Sequence, residues 1–94
     1  MTAKRKKAAS RIARPGGKRT RELSPAEQAF IASVGKRIAE IRVAKGITAK
    51  ELAESLGVSV GTQSRREQGH QSMPLEDLHR YAAALSVAVS DVIS

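Results

Sequence analysis

Residues 59–71 read SVGTQSRREQGHQ, and within that stretch Thr62, Gln63, Ser64, Arg65, Arg66 and Gln68 set hydrogen-bond donors and acceptors side by side. Val60 is the only sizeable apolar residue between Ser59 and Gln68, so a helix formed here has almost nothing to bury. Such a segment suits hydrogen bonding to a polar partner outside the protein rather than the making of bonds. Nowhere in the chain does a nucleophile stand with a base, and there is no glycine-rich phosphate loop or metal-ligand constellation. There is no cysteine, and the two histidines, His70 and His79, read as ordinary surface or loop residues. No catalytic residue, cofactor or metal is expected.

The elements that must position this stretch follow from punctuation and periodicity. Ser24-Pro25-Ala26-Glu27 is a capping box with proline in the first turn. Ile31, Val34, Ile38 and Ile41 then recur at helical spacing, and Gly35 between them is expected to kink or break the run. Lys45-Gly46 is a stop signal, and Thr48-Ala49-Lys50-Glu51 is a second capping box. The helix it opens buries Leu52, Ala53 and Leu56 and ends at Gly57, where a left-handed turn swings the chain, Val58 plugs the turn and Ser59 caps the next helix, 60–68. Pro74 opens a fourth helix, with Glu76 and Asp77 at its positive end and Leu75, Leu78, Tyr81, Ala82 and Leu85 on one face. Tyr81 is expected in the core with its hydroxyl near the surface. Ser90-Asp91 is expected to cap a short last helix, and the alternation over 86–90 is discounted as a strand.

Aromatic residues are only Phe30 and Tyr81, so the core is built from Leu, Ile, Val and Ala, which favours an all-α bundle. The charge is uneven. Residues 1–22 hold nine Lys and Arg (Lys4, Arg5, Lys6, Lys7, Arg11, Arg14, Lys18, Arg19 and Arg21) against Glu22, while residues 23–94 hold eight basic and eight acidic side chains. The whole excess of +8 lies in a segment with one large apolar residue, Ile12, which buries too little to offset its ordering entropy. Residues 1–22 are therefore expected to form a disordered basic arm, and residues 23–94 one folded domain of about five helices. No run is apolar enough to span a membrane and the N-terminus lacks the apolar stretch of a secretory signal, so a cytoplasmic location is expected.

Two short helices joined by a Leu-Gly-Val-Ser turn, the second polar and exposed, fit a helix-turn-helix. That motif crosses the DNA backbone with one helix and lays the next in the major groove, where base edges offer donors and acceptors. Residues 35–93 resemble the phage-repressor and Cro-type helix-turn-helix family, also called the XRE family. The resemblance rests on Gly35-Lys36-Arg37-Ile38, Ile41-Arg42, Lys45-Gly46-Ile47-Thr48, Glu51-Leu52-Ala53, Leu56-Gly57-Val58-Ser59, Ser64-Arg65, Glu67, Gly69 and, further on, Leu75, Leu78, Ala82, Ala84-Leu85 and Val87. It implies a compact five-helix, lambda-repressor-like DNA-binding domain, with 49–56 and 60–68 as the DNA-binding pair.

Carried over position by position, the resemblance implies that Val60, Gly61, Thr62 and Arg65 face base edges. Lys50, Ser59, Ser64, Arg66, His70 and Gln71 are expected at the DNA backbone. It implies a regulator of transcription, expected to be a repressor that binds an inverted repeat of double-stranded DNA as a homodimer, with Val89, Val92 and Ile93 as candidate seam residues or remaining core. The alternatives are an antitoxin paired with a toxin partner and a module used mainly for protein interaction. Glu67 reads either as a cytosine reader or as a structural tie to Arg42. This chain departs from the family pattern at Ala49, Met73-Pro74, Gln63 and Arg66. The last two stand where the family places apolar anchors for the third helix. Either Arg66 lays its stem over apolar surface, or the third helix is only marginally ordered without DNA, a reading that Gly61 also favours.

Overall fold

The computed structural model describes residues 22–93, so the basic arm expected over 1–22 lies, apart from Glu22, outside the described residues. Among these residues five helices follow one another: α1 (Pro25–Ala44), α2 (Ala49–Leu56), α3 (Val60–Glu67), α4 (Leu75–Leu85) and α5 (Val89–Ile93). There is no strand among the described residues, and none of their helices is long and apolar enough to cross a membrane.

The local signals operate as the sequence implies. At Ser24 the hydroxyl oxygen accepts from the Glu27 N–H at 3.1 Å while the Glu27 carboxylate accepts from the Ser24 N–H at 2.7 Å. Thr48 and Glu51 form the same reciprocal pair at 3.0 and 2.8 Å. Each box satisfies two of the N–H groups that a helix start leaves without partners. Gly57 sits at φ 73°, a left-handed conformation that a Cβ disfavours, and turns the chain from α2 into α3. Val58 follows it, packs against the core, and donates its N–H to the Ala53 carbonyl at 3.0 Å.

Gly35 does not kink or break α1, which runs unbroken for 20 residues. It is buried because α3 ends against it: a Cβ here would lie 2.0 Å from the Arg66 carbonyl oxygen and 3.1 Å from that of Glu67. The glycine is explained by the approach of another backbone, not by flexibility. Ser90 and Asp91 do not stand ahead of α5 as a cap. Asp91 lies inside its first turn and its carboxylate accepts from the Ala88 N–H at 3.0 Å. Leu75 is 80% exposed rather than on the inner face of α4. The buried stripe of α4 runs through Asp77, Tyr81 and Leu85 at spacing four, and a residue two positions before Asp77 points about 200° away from it.

The core consists of Val34, Ile38 and Ile41 from α1, Leu52 and Leu56 from α2, Tyr81, Ala82 and Leu85 from α4, and Val92 from α5. Val92 is fully buried there, so of the three candidate seam residues only Val89, half-buried, and Ile93, exposed, retain surface. α3 contributes no apolar side chain: its buried residues are Gln63 and Arg66.

Two glycines inside helices should respond oppositely to alanine. Gly35→Ala forces a methyl into the Arg66 carbonyl and should destabilise the fold by about 1–3 kcal/mol or more. Gly61→Ala meets nothing nearer than the end of the Arg65 side chain at 3.4 Å and should be neutral or stabilise by up to ~1 kcal/mol. Urea unfolding of the two variants checks both signs.

Candidate functional site

α3 has no apolar anchor, so its seating depends on polar side chains whose geometry must close. On its inner face Gln63, fully buried, donates from Nε2 to Glu67 Oε2 at 2.7 Å and accepts from the Tyr81 hydroxyl at 2.6 Å. The same hydroxyl oxygen accepts from Arg66 Nη1 at 3.2 Å, and Arg66 Nη1 lies 3.0 Å from Asp77 Oδ2. Arg66 is thus an inward anchor, 6% exposed, and not a contact to the DNA backbone. Its side chain turns inward, and its guanidinium bonds to Tyr81 and Asp77 on α4. Its charge is matched by a carboxylate that α4 buries two residues into the helix.

Glu67 takes the structural role. It accepts from Arg42 Nε at 2.8 Å and Nη2 at 3.1 Å, a bidentate pair that ties α3 to α1, while Arg42 Nη1 donates to the Ile47 carbonyl at 2.9 Å. Among the described residues the one buried side-chain polar atom without a hydrogen bond is Arg66 Nε. Burial pushes the Tyr81 phenol above its ordinary value, with the neighbouring Arg66 acting in the opposite direction. For Arg66, burial opposes the charge, but the bonds to Tyr81 and Asp77 outweigh it and hold the guanidinium above its ordinary value.

The outer face is presented differently. Ser59, Val60, Gly61, Arg65, Lys50 and His70 are exposed, and Thr62, Ser64 and Gln71 are half-buried. These nine of the ten expected DNA-facing residues share the surface formed by α2, α3 and the following loop. Ser59 caps α3 by accepting from the Thr62 N–H at 3.0 Å, and its hydroxyl donates to Thr62 Oγ1 at 3.1 Å. Arg65 donates from Nε to Gln71 Oε1 at 3.0 Å and from Nη2 to Thr62 Oγ1 at 3.2 Å. The loop is fixed to the same residue, since the His70 N–H donates to the Arg65 carbonyl at 2.8 Å. No cluster of three or more metal-ligating side chains stands among the described residues.

Sequence reasoning missed Asp77 and the Tyr81 hydroxyl as parts of this arrangement. A signal was available: polar residues spaced three apart at the anchoring positions of α3 demand polar partners on a facing helix, and Asp77 and Tyr81, spaced four apart, supply them.

Residues 38–92 match the helix-turn-helix family model. Among solved structures, the chain is similar to the clp gene regulator ClgR from Corynebacterium glutamicum, at 35% identity over 67% of each chain with a TM-score of 0.65. It is also similar to the restriction-modification controller protein C.AhdI from Aeromonas hydrophila, at 26% identity over 68% of this chain and 97% of that one, TM-score 0.64. A third similar structure is the hypothetical transcription factor NHTF from Neisseria, at 28% identity over 79% of this chain and 85% of that one, TM-score 0.66. No curated protein matches.

Tyr81→Phe leaves Gln63 Oε1 without its donor and should cost about 1–3 kcal/mol at neutral pH. The raised phenol pKa also predicts a pH dependence. The unfolded chain releases this proton near pH 10.0 and the folded protein only at higher pH. The contribution of Tyr81 to stability is therefore complete below pH 10 and is lost as pH rises through the folded-state value. The stability difference between the natural protein and the Phe variant should shrink above pH 10, which paired urea titrations at pH 8 to 11 measure.

Proposed function

Because the chain belongs to the helix-turn-helix family of DNA-binding transcription regulators, of the phage-repressor and Cro type, we propose that it binds an inverted-repeat operator as a homodimer and represses transcription from the DNA it occupies. The observation that carries this reading is the division of α3: its inner face is tied to α1 and α4, while its outer face keeps Thr62, Arg65 and their neighbours on the surface. A helix held this way can enter a major groove as a rigid body.

In this reading Val60, Gly61, Thr62 and Arg65 face base edges, and Lys50, Ser59, Ser64, His70 and Gln71 lie near phosphates. Arg66 has no part in the contact, being paired with Asp77. Val89 and Ile93 supply the apolar part of a seam between two copies. Residues 1–22, with nine basic side chains, add attraction to phosphates that is blind to sequence.

Selection from random duplexes at ~150 mM salt, where exposed charges are screened within about 8 Å, should return a palindrome. Absence of any preferred sequence would overturn operator binding, and a non-repeated product would overturn the dimer. Deleting residues 1–20 should weaken binding to all duplexes alike and keep the preference. If the segment neutralises ~4–6 phosphates, the log–log salt slope should become shallower by about 4–5. Loss of preference at unchanged affinity would contradict that division.

A further inference from the structure

Four of the five N–H groups of an arginine lie on two edges of the guanidinium plane. The side edge carries Nε–H and one N–H of Nη2. The end edge carries the other N–H of Nη2 and one of Nη1. For Arg65 the side edge is already spent inside the protein: Nε donates to Gln71 Oε1 and Nη2 to Thr62 Oγ1. The end edge makes no hydrogen bond among the described residues. Thr62 is itself fixed, since its oxygen also accepts from the Ser59 hydroxyl, whose oxygen is committed to the Thr62 N–H. Gln71 is fixed because its loop is bonded to the Arg65 carbonyl through His70. The guanidinium lies back towards the start of α3, with Nη1 3.4 Å from where a Cβ on Gly61 would stand.

We infer that Arg65 reads a guanine in each half-site with its free Nη1/Nη2 edge, and that Gln71 and Thr62 are positioning residues that hold it in that pose. This rests on the operator-binding reading above and adds the base and the residues that impose it. Two parallel donors match the two acceptors that guanine shows in the major groove, N7 and O6. Adenine shows an acceptor beside a donor, thymine an acceptor beside a methyl group, and cytosine a donor, so each leaves one N–H of the edge unpaired or opposed. An arginine already held by two bonds loses little side-chain freedom when it binds. Gln71 lies near the phosphates in the operator-binding reading, but its side-chain oxygen is committed to Arg65, so it acts on the base preference through Arg65.

The test is the base preference at each position of the selected site, read for the full-length protein and for Arg65→Ala, Gln71→Ala, Gln71→Glu and Thr62→Val, with thermal melting to confirm that each variant is folded. The natural protein should prefer guanine at one position per half-site by between about fivefold and a hundredfold. Arg65→Ala should abolish that preference and leave the other positions unchanged. Gln71→Ala and Thr62→Val should each reduce it at the same position by about twofold to tenfold. Gln71→Glu keeps an acceptor for Nε and should retain the guanine preference even where its charge lowers affinity for all duplexes. A natural protein without any base preference overturns operator binding and this inference together. A guanine preference that survives Arg65→Ala, or an Arg65→Ala variant weakened equally on every duplex as loss of a phosphate contact requires, overturns this inference alone. So does a guanine preference that Gln71→Ala and Thr62→Val leave untouched.

Discussion

The fold around α3 depends on one oxygen atom. The Tyr81 hydroxyl donates to Gln63 and accepts from Arg66, the only two buried residues of a helix that brings no apolar side chain to the core. Apolar anchors attract without direction and tolerate rotation of a helix about its axis. Hydrogen bonds weaken steeply when misaligned, and a buried polar group left unpaired costs about 1–3 kcal/mol. The network through Gln63, Glu67, Tyr81, Arg66 and Asp77 therefore favours one rotational setting of α3. A buried ion pair such as Arg66–Asp77 is weak evidence of added stability, because desolvation offsets its attraction. Its contribution here is to orientation.

α1 supplies the frame for this setting. Ala32 lies under Gly69, where a Cβ would come within 2.8 Å of it, Gly35 lies under the Arg66 carbonyl, and Arg42 holds Glu67. All three contacts fall at the C-terminal end of α3 or just beyond it. The N-terminal end is set instead by the turn from α2, through Gly57, Val58 and the Ser59 cap. One end is clamped by close backbone approach and ion pairing, and the other is free to project its first turn. Two of the clamping residues, Ala32 and Gly35, precede the residues that match the family model. The early turns of α1 are thus part of how this chain holds α3.

Much of this was legible in the sequence, and the division follows the range of the interaction. The capping boxes at Ser24 and Thr48, the left-handed Gly57 and the Ser59 cap act over three or four residues, and they stand in the structure as their spacing implies. The Glu67–Arg42 tie was readable because the family resemblance places both residues. Gly35, Arg66 and Leu75 were misread because their environments are set by partners far along the chain. Arg66 looks like a surface cation until Asp77 is seen to face inward. Leu75 looks like core until the same turn of Asp77 points it out. Gly35 looks like a break until the end of α3 is placed against it. The tyrosine hydroxyl reads as a surface group because nothing in its own helix needs a buried donor; the need comes from Gln63, 18 residues earlier.

The folded part has little charge to spare. Of the basic side chains after residue 22, Arg37, Arg42, Arg66 and Arg80 are in ion pairs, and the residues from 23 onward sum to zero. A body of zero net charge has no net Coulomb attraction to a polyanion, whereas residues 1–22 carry a net charge of +8. Recognition at hydrogen-bond distance places the opposite demand on a protein, because donors must be held still and must point in a known direction. Arg65 meets that demand without an opposing carboxylate: its partners, Gln71 and Thr62, are neutral, so its full charge and one donor edge remain available. Arg66, one residue on, pairs with Asp77 and is neutralised inside the domain. Two adjacent arginines of the same chemistry thus meet opposite surroundings, an amide and a hydroxyl for Arg65 and a carboxylate and a phenol for Arg66.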